Sequence, residues 1–98
     1  MPEGGFTTPV YLTTSTLIRT GRTYVYSVLV SVSDTSATGA AVLHDGTSTA
    51  SGTIAVVRIG TSINSERSIQ ANWNGLYFNT GLYVQVLVGT PHVTIEYQ

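Results

Sequence analysis

The chain has 98 residues, enough for one domain and too few for two, because a domain of about 100 residues sits at the common size. Charged residues make up 9%, four arginines and no lysine against five acids, where a soluble domain carries about 25%. A net charge of −1 without lysine lacks the electrostatic footprint of nucleic-acid binding, and the absence of cysteine excludes disulfides, thiolate metal sites and thiol nucleophiles.

Sixteen Thr, twelve Val, ten Ser and ten Gly supply nearly half the residues, a composition that favours strands and turns over helix. Residues 1–9 hold two prolines and two glycines with little periodicity and read as an extended arm, with the folded domain at 10–98. No basic region followed by an apolar run marks a secretory leader, and no apolar stretch approaches membrane-spanning length. Val10 to Ile18 supports one or two short strands, broken near Thr14. Thr23 to Ser33 alternates over the longest span, and its phase puts Tyr24, Tyr26, Val28, Val30 and Val32 on the core side.

Gly39 to His44 is a short strand that ends at the turn-forming Asp45-Gly46. Thr53 to Ile59 is apolar in both phases except at Arg58, which predicts burial on two faces. Arg67 to Trp73 forms a strand, and Asn74-Gly75 then reads as a hairpin turn into Leu76 to Phe78. Leu82 to Val88 places Leu82, Val84, Val86 and Val88 on one side. His92 to Tyr97 sets Val93, Ile95 and Tyr97 against a wet face of His92, Thr94 and Glu96. About eight short strands without a crossover helix predict an all-β fold, a single antiparallel β-sandwich of the jelly-roll kind.

Catalytic chemistry finds little local support. His44 and His92 stand alone on separate strands. His44 beside Asp45 invites a triad with a serine, but neighbours on a strand face opposite ways and no Gly-x-Ser-x-Gly elbow occurs. Glu66 and Glu96 are the one acid pair of the second half, and Glu96 reads as part of a solvated face. The expectation is a protein that is not an enzyme and needs no cofactor or metal. The densest polar and aromatic cluster is Asn72, Trp73, Asn74 and Tyr77, where flat rings beside amides could stack on a sugar and bond its hydroxyls. The competing reading makes Trp73 and Phe78 core anchors. Arg58, alone on an apolar strand, calls for a carboxylate or carbonyl partner, and an interface between subunits is the expected place; Asp34, Asp45 and Glu66 are the candidate acids.

The segment Val42-Leu-His-Asp-Gly-Thr-Ser48, the run Gly81-Leu-Tyr-Val84 and the closing Val93-Thr-Ile-Glu-Tyr97 resemble small all-β virion proteins of tailed bacteriophages, a pattern likeness over residues 12 to 97. The resemblance implies a structural role on the particle, as a capsid decoration (cement) protein or a head or tail fibre module. It carries over no functional residues. The expectations are a homo-oligomer, with a trimer favoured, contacts with capsid or tail proteins, neither nucleic acid nor membrane as partner, and location in the virion after assembly in the host cytoplasm. A carbohydrate-binding module for host attachment is the alternative. The low charge fits the first reading, because a subunit covered by its neighbours needs fewer ionised groups than a free monomer.

Overall fold

Branched and flat side chains pack well on a pleated surface, so the valine-, threonine- and tyrosine-rich stretches become strands. A computed structural model describes residues 7–32, 39–59, 68–87 and 91–98. Its strands are β1 (Thr8–Leu12), β2 (Thr16–Thr20), β3 (Thr23–Ser31), β4 (Gly39–Asp45), β5 (Gly52–Ile59), β6 (Ser68–Phe78), β7 (Gly81–Leu87) and β8 (His92–Tyr97), and no helix occurs among the described residues. β1 begins at Thr8, two residues ahead of the expected domain start, and residues 1–6 of the expected arm lie outside the described residues.

Pairing is nested: β1 with β8, β2 with β7, β3 with β6 and β4 with β5, all antiparallel. Further pairing of β3 with β8 and β4 with β7 joins these into two four-stranded sheets, ordered β1-β8-β3-β6 and β2-β7-β4-β5. One long antiparallel ribbon has rolled on itself, which is the jelly-roll sandwich. Between the sheets lie Val25, Val28, Leu43, Phe78, Leu82 and Ile95, all fully buried, with Trp73, Leu76 and Ile18 packed against them from the margins. Each such side chain contributes about 1.5–3 kcal/mol by leaving water.

Two local expectations fail for one reason, that bulges change the phase of a strand, and a third fails because only one face of β5 is covered. β3 holds one residue more than β8 between Val25 and Ser27, so Thr23 and Val25 point inward before the bulge and Val28 and Val30 after it. Tyr24 and Tyr26 are therefore not core residues but half-exposed ones. Asn74-Gly75 makes no hairpin, because β6 runs unbroken from Ser68 to Phe78 and the dipeptide lies in its bulge opposite β3. Gly75 has φ 92°, a conformation that a side chain disfavours, so the same residue that could turn a hairpin kinks a strand. β5 is buried on its inner face only. Val57 and Ile59 enter the core, while Ile54, Val56 and Arg58 are exposed.

One end of the sandwich is clasped. The connections β2–β3, β4–β5 and β6–β7 meet there, with Gly21 N–H donating to Thr80 O at 2.6 Å and Gly46 N–H to Gly81 O at 3.0 Å. Gly81 sits so close that a Cβ would lie 2.8 Å from Arg19 O and 2.9 Å from Gly46 O. The Asp45 carboxylate accepts the N–H groups of Thr80 at 2.7 Å, Asn79 at 3.2 Å and Gly81 at 3.3 Å. The Thr80 N–H does most to hold this carboxyl below the ordinary carboxylate range, opposed by desolvation and helped by Asn79 and Gly81.

A carboxyl whose folded pKa lies below its unfolded value of about 3.9 stabilises the fold above that value and loses the effect as pH falls through the folded pKa. Asp45→Asn is expected to cost about 1–2 kcal/mol in denaturant unfolding at neutral pH, with the gap to the parent shrinking below about pH 4. An equal gap at pH values on both sides of that range would remove the charge from this account.

Candidate functional site

Residues paired across strands point to the same side, so the registers define the two outer faces. On the β2-β7-β4-β5 sheet, Leu17, Tyr83, His44 and Thr53 form one row, Gln85, Val42 and Val56 a second, and Leu87, Ala40 and Arg58 a third. Ile54 joins this side through a bulge, because Leu43 and His44 pair with Ala55 and Thr53 and leave Ile54 as the extra residue. Aliphatic side chains dominate, and three of them, Leu17 at 42%, Ile54 at 43% and Val56 at 49% exposure, are open to solvent. Arg58 is the one ionised group in the three rows.

On the β1-β8-β3-β6 sheet the rows read Tyr11, Thr94, Leu29, Gln70, then Pro9, Glu96, Ser27, Asn72, with Ser31 between His92 and Ser68, and Tyr24 beside Tyr77. Hydroxyls, amides and phenol rings outnumber the aliphatic groups, which in these rows are Leu29 and Pro9. This face can be wetted without ions. The two outer faces therefore differ in polarity, the first carrying more aliphatic side chains and the second more hydroxyls and amides.

The sequence singled out Trp73, Tyr77, Asn72 and Asn74 as one cluster, and the structure divides it. Trp73 shares the phase of Ala71, which pairs with buried Val28, so its indole packs against the core. Asn72, Asn74 and Tyr77 are exposed, and the Tyr77 hydroxyl donates to Asn79 Oδ1 at 2.9 Å. Sequence reasoning missed Tyr24 and Tyr26 as outward rings, since strict alternation without a bulge buries them. Arg58 engages no hydrogen bond or ion pair among the described residues. Asp45 is committed to the clasp, and Asp34 and Glu66 lie outside the described residues, as does any pairing of Glu66 with Glu96.

His44 is nearly buried, and both ring nitrogens are used. Ser51 O, 3.0 Å from Nδ1, can only accept, so Nδ1 carries hydrogen, and Nε2 lies 2.9 Å from the Gln85 side-chain amide. The ring locks the β4–β5 loop to β7 and leaves no nitrogen for a metal or a proton relay. His92 stacks on Tyr11 and meets its hydroxyl through Nδ1. No group of three or more His, Cys, Asp or Glu residues converges among the described residues. Neither a protein-family model nor a curated protein matches the sequence.

Because Trp73 leans on the core, its fluorescence is expected at shorter wavelength than that of free tryptophan, with weaker acrylamide quenching. Emission and quenching equal to those of a tryptophan peptide would place the indole outside and restore it to the surface cluster.

Proposed function

We propose that this protein is a structural building unit of a virus particle, a capsid decoration (cement) protein or a head or tail fibre module, that stabilises the particle through contacts between subunits. The observation that carries the reading is the aliphatic outer face of the β2-β7-β4-β5 sheet, with Leu17, Ile54 and Val56 in solvent and Arg58 as the ionised group of its rows. Exposing these groups forfeits about 25 cal/mol per Å² that burial against another subunit regains. A standard interface takes roughly 800 Å² from each partner, a modest share of the 5356 Å² surface. Jelly rolls also build viral capsids, although lectins and cupins share them, so the fold supports the reading by analogy alone.

In this reading copies of the chain lie face to face or around a symmetry axis, three being the expected number, and capsid or tail proteins supply further cover. Arg58 stands on the same face as Val56 and Ala40 and donates to carbonyls or a carboxylate of the neighbouring copy. Association then stabilises the folded subunit by mass action, which suits a domain of this size without disulfides.

Light scattering after size-exclusion chromatography at micromolar concentration is expected to give a closed oligomer. Val56→Asp, which buries an unpaired charge in the contact, is expected to shift the mass to the monomer while leaving the β-sheet circular dichroism intact. A monomeric parent protein, or an oligomer that ignores Val56→Asp, would contradict the reading.

A further inference from the structure

From the opposite side of the sandwich we infer a binding site for a neutral oligosaccharide, centred on Tyr24, Tyr26 and Tyr77 on the outer face of β3 and β6. It is independent of the subunit contacts proposed above, which use the other sheet. Tyr24 and Tyr77 are register partners with ring centroids 5.2 Å apart and planes tilted by 45°. Two tilted rings present a shallow V rather than one flat wall. Tyr77 is 44% exposed, and Tyr24 and Tyr26 are half-buried, so each ring has support behind it and an open side.

The β6 bulge makes the site. At Gly75, where φ is 92°, a Cβ would stand 3.6 Å from the Tyr26 ring and 3.8 Å from the Tyr24 ring. These are ordinary contact distances, so it is the positive φ of the bulge, not crowding, that calls for glycine here, and Asn72 and Asn74 are exposed on the same strand. Asn79 Oδ1 accepts from the Tyr77 hydroxyl, which fixes that amide and leaves its N–H groups without a partner among the described residues. Rings fixed in this way lose little entropy on binding.

The chemistry selects the ligand class. Phenol faces stack on the C–H faces of a pyranose, and amides and phenol hydroxyls exchange hydrogen bonds with its hydroxyls. No cationic side chain stands in the rows of this face, and its one carboxylate among the described residues, Glu96, lies opposite Ser27. An anionic sugar would meet no counter-charge and some repulsion, so the site suits uncharged residues. Its width, two paired strands about 5 Å apart, matches one or two sugar rings.

The test is a titration with neutral oligosaccharides built of glucose, galactose, rhamnose and N-acetylglucosamine, and with sialylated ones as the anionic comparison, followed by NMR shift changes on the parent protein and on Val56→Asp. At least one neutral oligosaccharide is expected to shift Tyr24, Tyr77 and Asn79 resonances in both proteins. Tyr77→Ala and Asn79→Ala are each expected to weaken binding tenfold or more with the fold intact. No response to any neutral oligosaccharide, binding only of the sialylated ones, or full binding by Tyr77→Ala would overturn the site. Because Val56→Asp acts on the opposite face, a lost oligomer with retained sugar binding, or the reverse, separates this proposal from the subunit reading.

Discussion

A two-layer sandwich has four sheet faces and shields only two of them, and this chain has nine charged residues with which to make the remaining two acceptable to water. That shortage governs the surface. The β1-β8-β3-β6 sheet meets it with serine, threonine, asparagine, glutamine and tyrosine, whose polar atoms bond water without a net charge. The β2-β7-β4-β5 sheet meets it only in part: Tyr83, Gln85, Thr53 and Arg58 share its outer side with Leu17, Ile54 and Val56, three aliphatic side chains left open to solvent around the buried Val42 and Ala40. The interior is complete without this second face, and in the proposed reading its aliphatic groups serve contacts outside the monomer.

The nested pairing that creates the faces also explains the clasp. When the ribbon rolls, three of its connections arrive at one end, and backbone N–H groups at 79–81 gather where no strand can pair them. Asp45 answers with a charged acceptor at the end of β4. Charge-assisted hydrogen bonds of this kind are stronger than neutral ones, and here one carboxylate serves three donors. His44, the preceding residue, points the other way and ties the β4–β5 loop to β7. The histidine and aspartate that suggest catalytic chemistry on paper each hold a loop in place.

Much of the fold is legible because its pattern has a period of two. Val93 and Ile95 against His92, Thr94 and Glu96, and Leu82 and Val84 against Tyr83, need no more than alternation, and the structure keeps them so. Alternation cannot see an inserted residue. The extra residue near Tyr26 reverses the phase of the start of β3 and moves two tyrosines from core to surface, while Asn74-Gly75 has the local chemistry of a turn and the tertiary setting of a bulge. Strand order is equally silent in the sequence, because long-range pairing depends on which edges meet. Of the candidate site residues, Tyr77, Asn72 and Asn74 read as a polar cluster and are exposed; the bulge hides Tyr24 and Tyr26, and Arg58, expected to need a partner on a strand buried on two faces, is exposed because β5 is covered on one face only.

The central claim is that another protein surface covers the aliphatic face and that the tyrosine face stays open. Carbene footprinting across a dilution series reads side-chain cover directly. Labelling of Leu17, Ile54 and Val56 is predicted to rise as the protein is diluted, while Tyr24 and Tyr77 label equally at every concentration. Constant labelling of Leu17, Ile54 and Val56 throughout the series, at the level of freely exposed side chains, would contradict the account.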